Sequence, residues 1–216
     1  MIKIIIVDDH PMLRAGFIQT INREADLKIV DECDNGEQLI SKITENDFDV
    51  VVLDIDLPGR NGIEILKEVK KINPQLPVLI FSSFQEERYG VRAIRAGANA
   101  YLSKEDDIKL IVETIRGIKG NKRKISPKLA EILANELDDK NPGKLPHEAL
   151  SDRELEVMRH IAIGKSTGEI AGMLSLSVNT VNTYRARVLE KLGLSSNAQV
   201  AIYALENGLL DRPSRS

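Results

Sequence analysis

Five short apolar runs alternate with five segments of helical spacing over the first 120 residues, and no other feature constrains the fold as strongly. The runs are KIIIV (3–7), LKIVDEC (27–33), DVVVLD (49–54), PVLIFS (77–82) and NAYLSK (99–104). Runs of this length suit the strands of a parallel sheet that helices cover on both faces. The pattern therefore predicts an α/β doubly wound, five-stranded parallel sheet.

Polar residues stand where four of these strands end. Asp8 and Asp9 follow the first strand, Asp54 the third, Ser82 the fourth and Lys104 the fifth. Because the carboxyl ends of parallel strands share one edge, we expect these side chains to meet there. Three neighbouring carboxylates repel one another unless a cation joins them, and an all-oxygen ligand set with water favours Mg²⁺. A carboxylate beside Mg²⁺ can attack a phosphoryl group, whose oxygens Ser82 and Lys104 can then bind.

Residues 1–120 resemble the receiver domain of two-component response regulators, which has a flavodoxin-like fold. The resemblance rests on VDDH, VVLDIDLPGRNGIEIL, PVLIFSS and AGANAYLSK. It implies that Asp54 is the phosphoacceptor and that a sensor histidine kinase is the partner. It also implies that Asp9 and Asp54 bind Mg²⁺ directly with the backbone carbonyl of Asp56, while Asp8 acts mostly through water.

The same resemblance assigns the residues that respond to phosphorylation. Ser82 is then the switch hydroxyl, which moves toward the phosphoryl group, and Lys104 is the phosphate-binding lysine. Tyr101, three residues before that lysine, matches the switch aromatic that turns inward. A receiver of this kind is not an enzyme in the ordinary sense, because it catalyses only its own phosphotransfer and dephosphorylation.

A second interpretation of the DID sequence at residues 54–56 is a haloacid dehalogenase-type phosphatase, which uses an aspartate nucleophile and a second aspartate two residues later. That motif normally lies near the N-terminus and continues with Thr or Val, where this chain has Pro58. A cap insertion is also missing. The phosphatase therefore stays a minor alternative.

Charge divides the chain into three parts. Residues 1–118 carry 15 basic and 21 acidic side chains, residues 119–146 carry 7 and 4, and the remainder carries 8 and 8. An acidic part, a basic connector and a neutral part predict two domains and a linker. We place the receiver at 1–120, a linker with a short helix (SPKLAEILANEL) at 121–146, and a second domain at 147–211.

The second domain has the signals of four helices. Ser151 with Glu154, and Ser166 with Glu169, have the spacing of capping boxes, and Ser177 and Ser195 are the predicted caps of the next two helices. Helices at roughly 167–173 and 178–192, joined by LSLS, form a helix-turn-helix.

This all-α four-helix segment resembles the LuxR/NarL-type DNA-binding domain through LSDRELEVMRHIAIGKS and EIAGMLSLSVNTVNTYRARVLEKLGLSS. The resemblance implies that the third helix enters the major groove. Helical spacing puts Val181, Val188 and Leu192 on its buried face. The predicted DNA-binding residues are Asn179, Thr180, Asn182, Thr183, Tyr184, Arg185, Arg187 and Lys191. Asn182, Thr183 and Arg187 are the predicted groove contacts, and Thr180, Tyr184, Arg185 and Lys191 hold phosphates or the domain core.

The predicted protein is a DNA-binding transcriptional response regulator that is switched by phosphorylation. Residues 147–216, which include its DNA-binding domain, carry no net charge, so we expect a monomer to bind double-stranded DNA weakly and a homodimer to form when the protein is phosphorylated or bound to DNA. The alternative is a regulator that binds DNA independently of phosphorylation and uses the receiver only to dimerise. No apolar run approaches the roughly 20 residues of a membrane helix, and the single cysteine and the N-terminal sequence favour the cytoplasm.

Overall fold

The computed structural model describes residues 1–137 and 145–210, which belong to two compact units divided at Asp139/Lys140. The first unit contains a five-stranded parallel sheet with the order β2-β1-β3-β4-β5. Its strands are β1 (Ile2–Val7), β2 (Leu27–Cys33), β3 (Val50–Leu53), β4 (Val78–Ser82) and β5 (Ala100–Ser103). The intervening helices are α1 (Pro11–Ile21), α2 (Gly36–Glu45), α3 (Gly62–Ile72), α4 (Glu86–Ala96) and α5 (Ile108–Ile118). The predicted sheet is confirmed.

The sheet forms because its three central strands bury side chains on both faces. Every residue of β3 and β4 is buried, and β1 exposes only Lys3. One face packs on Phe17 and Ile21 of α1 and on Ile111 and Ile115 of α5. Each such large apolar side chain contributes about 1.5–3 kcal/mol when it leaves water.

The strand order indicates the edge of the sheet at which a ligand can bind. The chain moves outward from β1 to β2 and then returns to lay β3 on the other side of β1, so the order reverses between β1 and β3. In open α/β sheets the crevice at such a reversal, at the carboxyl ends of the strands, is where ligands bind. Asp8 and Asp54 are the residues that follow β1 and β3 there.

A sixth helix, α6 (Pro127–Leu137), lies in the segment that we predicted as linker. It packs against α4, and its Leu129 is fully buried. Residues up to the end of α6 thus belong to the first unit, whereas the sequence suggested a domain end at residue 120. The sequence showed the helix but not its apolar partner.

The second unit is helical. A short 3-10 helix (Pro146–Ala149) precedes α7 (Asp152–Ala162), α8 (Thr167–Met173), α9 (Val178–Leu192) and α10 (Asn197–Glu206). Both predicted capping boxes are present, and Ser177 caps α9 as expected.

The predicted cap of the last helix was wrong by one residue. Ser196 is the N-cap of α10, because its side chain accepts the backbone N–H of Gln199. Ser195 instead donates from both its backbone N–H and its hydroxyl to the Gln199 side chain. Two adjacent serines have the same local signal, and only the path of the backbone distinguishes them.

Within the described residues, no helix is long and apolar enough to cross a membrane.

Candidate functional sites

A buried lysine joins two carboxylates at the carboxyl edge of the sheet. The Lys104 ammonium lies 2.7 Å from Asp54 Oδ2 and 2.7 Å from Asp8 Oδ2. The Lys104 side chain is 5% exposed, and both carboxylate side chains are 2% exposed. Three polar strand ends therefore meet as the sequence predicted, with one positive charge between two negative groups.

The burial of Asp54 changes its acidity. Loss of hydration raises the pKa of its carboxyl group to about 6, although the nearby Lys104 ammonium acts in the opposite direction. Burial by itself would lower the pKa of Lys104, but the Asp54 and Asp8 carboxylates outweigh that effect and raise it. The lysine thus stays charged, and Asp54 is ionised at neutral pH at an energetic cost.

Two further ligating groups extend the site toward solvent. His10 Nδ1 lies 2.8 Å from Asp9 Oδ1 and 3.2 Å from Asp8 Oδ1, and the backbone N–H of His10 donates to Asp8 Oδ1 at 2.8 Å. One ligand atom from each of Asp8, Asp9, His10 and Asp54 lies within 4.8 Å of the others. Carboxylates at this spacing suit a hard divalent cation such as Mg²⁺.

The switch candidates are connected to one loop. Ser82 is fully buried, and its hydroxyl accepts the backbone N–H of Phe84 at 3.4 Å. The Tyr101 hydroxyl donates to the carbonyl of Phe84 at 2.8 Å, and burial raises the pKa of Tyr101 so that it remains a donor. Tyr101 is 3% exposed. Tyr101 therefore lies inside the unit in this structure, where its hydroxyl has a carbonyl acceptor.

Two supporting residues were missed from the sequence. Gly62 begins α3 directly against the strand end, and a Cβ there would overlap the carbonyl oxygen of Asp54 and lie 2.6 Å from Ile55 Cα. Asn61 is buried and caps α3 by accepting the N–H of Ile63 at 2.8 Å. The Asn61-Gly62 pair in the sequence indicates a tight turn before a helix. The close approach of Gly62 to the Asp54 backbone could not be predicted from it, because it depends on the tertiary structure.

Helix α9 presents a polar face on the second unit. Val181, Val188 and Leu192 are buried, which confirms the face predicted from helical spacing. Five of the predicted DNA-binding residues are exposed: Asn179, Asn182, Thr183, Arg187 and Lys191.

Three of the predicted contacts, one of them the exposed Lys191, are bonded to other residues of the unit. Lys191 Nζ lies 2.6 Å from the buried Glu154 carboxylate and donates to the carbonyl of Ala149 at 3.2 Å. Arg185 Nε donates to the Asn197 side chain at 2.6 Å. The backbone N–H of Thr180 donates to the hydroxyl of Ser177, which caps α9. These contacts hold α9 to α7, to the 3-10 helix and to α10, whereas Tyr184 is half-buried.

Comparison with known proteins agrees with the two predicted kinds of domain. Residues 4–116 match the family described as response regulator receiver domain, and residues 148–204 match bacterial regulatory proteins, luxR family. Response regulator GacA of Pseudomonas syringae pv. syringae (strain B728a) is 33% identical over 211 residues, which cover 98% of this chain and 99% of that protein. Oxygen regulatory protein NreC of Staphylococcus carnosus (strain TM300) is 32% identical over 215 residues, with coverage of 97% and 99%.

A solved structure extends this agreement to the fold. The crystal structure of response regulator ChrA in a heme-sensing two-component system is 28% identical, covers 96% of this chain and 98% of that chain, and has a TM-score of 0.52.

The chain belongs to the two-component transcriptional response regulators that join a receiver domain to a LuxR-family DNA-binding domain. The predicted family and fold class are thereby confirmed, and the phosphatase alternative is dropped. The protein is a regulator rather than a classical enzyme.

Proposed function

We propose that Asp54 accepts a phosphoryl group from a histidine kinase and that this charge controls DNA binding by α9. The observation that carries the proposal is the single ammonium of Lys104 held 2.7 Å from both the Asp54 and the Asp8 carboxylates at the strand-order reversal. A buried pair of carboxylates is costly to maintain. Its presence at a ligand-binding edge favours a chemical role over a structural one.

In the transfer, an Asp54 carboxylate oxygen forms a bond to phosphorus while the bond from phosphorus to the kinase histidine breaks, and the imidazole keeps that electron pair. The added charge is about −1.5 to −2. Lys104 is positioned to bind a phosphoryl oxygen, and Ser82 to donate its hydroxyl to another. Asp54 and Lys104 thus act only on the protein's own phosphotransfer and dephosphorylation.

Mg²⁺ is the proposed cofactor, and the residues proposed to hold it are Asp8, Asp9, Asp54 and the backbone carbonyl of Asp56. When bound, Mg²⁺ neutralises charge that develops on the transferred phosphoryl group. Asp9 contributes a carboxylate that is 35% exposed, while Asp8 is held by Lys104 and by the backbone of His10.

On DNA, we propose that α9 enters the major groove with Asn182, Thr183 and Arg187 toward the base edges. Asn pairs well with adenine and Arg with guanine. Because Lys191 and Arg185 are bonded to other residues of the unit, they position α9 rather than bind phosphates. One unit therefore has a low affinity for DNA, and two copies bind paired half-sites. The proposed location is the cytoplasm, because the chromosomal DNA of bacteria lies there.

The test is intact mass after incubation with Mg²⁺ and a small acyl-phosphate donor, with Asp54→Asn as the matched variant. A single phosphoryl adduct on the wild type, absent from the variant and abolished by a chelator, supports the proposal. DNA affinity is then measured with and without the adduct. No adduct on a wild type that still binds DNA would favour the regulator that works independently of phosphorylation.

A further inference from the structure

The backbone holds His10 beside the phosphoacceptor edge. His10 is the N-cap of α1, and Pro11 follows it at the start of the helix. A residue before proline is confined to extended backbone, and His10 accordingly has φ −90° and ψ 100°. Its backbone N–H donates to Asp8 Oδ1 at 2.8 Å, while its side chain makes no capping hydrogen bond to α1. The helix that follows therefore does not use the imidazole.

The imidazole nitrogen lies instead among carboxylate oxygens. Nδ1 of His10 is 2.8 Å from Asp9 Oδ1 and 3.2 Å from Asp8 Oδ1. Two ligands at right angles on an octahedral cation, each bound at about 2.1 Å, lie about 3 Å apart. The nitrogen therefore has the spacing of a ligand that shares one cation with either oxygen.

One of these oxygens has no other partner. Asp9 Oδ1 is buried, although 35% of the Asp9 side chain is exposed. It accepts no hydrogen bond from any residue in the described part of the chain, His10 included. The short distance to Nδ1 thus lacks the alignment of a hydrogen bond. Because buried polar atoms are nearly always satisfied, a free carboxylate oxygen beside a ring nitrogen fits a cation that both atoms bind.

Lys104 leaves this side of the site open. Its ammonium contacts the Oδ2 atoms of Asp8 and Asp54, whereas His10 contacts Oδ1 of Asp8. The lysine and the imidazole therefore take different oxygens of one carboxylate. The His10 side chain is 58% exposed, so Nε2 can donate to water while Nδ1 binds a cation. A ligating histidine typically has this arrangement, with its second nitrogen bonded to a carboxylate, a carbonyl or water.

We propose that His10 sets the cation preference of the phosphoacceptor site, because it adds a nitrogen ligand to the carboxylates. The inference rests on the proposed function, since it concerns the cation bound at that same site. Carboxylates and water suit Mg²⁺, whereas imidazole suits first-row transition cations such as Co²⁺. With His10 among the ligands, a transition cation competes with Mg²⁺ more strongly than it would at a site of oxygens alone.

The experiment is calorimetric titration of the full chain with Co²⁺ and, separately, with Mg²⁺, for the wild type and His10→Ala. Loss of the nitrogen ligand should raise the Kd for Co²⁺ roughly tenfold or more. The Kd for Mg²⁺ should rise by less, because Mg²⁺ readily keeps a water in that position. His147→Gln is the matched control, since it removes a histidine of the other unit and should leave Co²⁺ binding unchanged.

A second readout reports the bond between nitrogen and metal. An imidazole bound to Co²⁺ through Nδ1 keeps its Nε2–H, and the unpaired electrons of the metal shift that proton resonance far outside the ordinary range. The resonance disappears in D₂O because the proton exchanges. One such resonance is expected from the wild type and from His147→Gln, and none from His10→Ala.

The negative results separate this inference from the proposed function. Equal Co²⁺ affinity of the wild type and His10→Ala, or a lower affinity without any shifted resonance in the wild type, would overturn the ligand role of His10. Weaker Mg²⁺ binding by Asp9→Asn would in that case leave the proposed cation site intact. If Asp9→Asn and Asp54→Asn both bind Mg²⁺ as the wild type does, the proposed cation site is refuted, and the role of His10 with it.

Discussion

Asp54, the proposed phosphoacceptor, should destabilise the folded receiver unit. Asp54→Asn keeps the volume of the side chain and an oxygen that can accept from Lys104, but it removes a carboxylate that is 2% exposed and close to Asp8. We therefore expect the receiver unit of the variant to be more stable than that of the wild type at neutral pH in the absence of divalent cations.

The magnitude follows from the acidity of the group. Burial raises the pKa of Asp54 from its ordinary value of 3.8 to about 6. Folding then opposes ionisation of Asp54. The resulting loss in the free energy of unfolding is absent below pH 3.8, grows as the pH rises, and is complete above the pKa that Asp54 has in the folded state. With 1.36 kcal/mol for each tenfold change in the ionisation constant, the variant should gain about 3 kcal/mol at pH 7.5 and about half of that at pH 5.

The assay is urea unfolding of the full chain in a chelator at pH 7.5, 5 and 4, in which the receiver transition is identified as the one that Mg²⁺ stabilises in the wild type. Asp56→Asn is the control, since that exposed side chain stands two residues away and should change the stability by less than about 0.5 kcal/mol. A gain that is equal at pH 4 and pH 7.5, or absent at both, would refute the argument from Asp54 burial.

Three further predictions concern the supporting residues. Gly62→Ala displaces the Asp54 backbone and should slow formation of the phosphoryl adduct roughly 100-fold in a mass time course. An unchanged rate would mean that the turn before α3 moves instead and leaves Asp54 in place. Arg187→Ala should weaken DNA binding by about 1–3 kcal/mol in fluorescence anisotropy with no change in unfolding, because the side chain is exposed. Lys191→Met leaves the buried Glu154 carboxylate without its ammonium and should cost about 1–2 kcal/mol in urea unfolding; loss of DNA affinity at full stability would show a phosphate contact instead.

Much of the local structure could be predicted because its signals are short-range. Helix α9 was placed at its observed limits, since Ser177 caps its start and Gly193 ends it in a left-handed conformation. Its buried face followed from spacing alone. The Ser195/Ser196 cap was missed, because neighbouring serines differ only in the direction of the backbone at that point.

The sequence by itself determined the order of the strands and helices and the polar residues at the strand ends. The reason is that the periodic apolar patterns of strands and helices can be read from consecutive residues. Only the tertiary structure decided which charges neutralise each other, that Tyr101 is already inside, that Lys191 is paired with Glu154, and that α6 rests on Gly90. The physical reason is distance along the chain. Lys104 and Asp54 are 50 residues apart, and no periodic pattern encodes a contact that exists only when two strand ends share an edge.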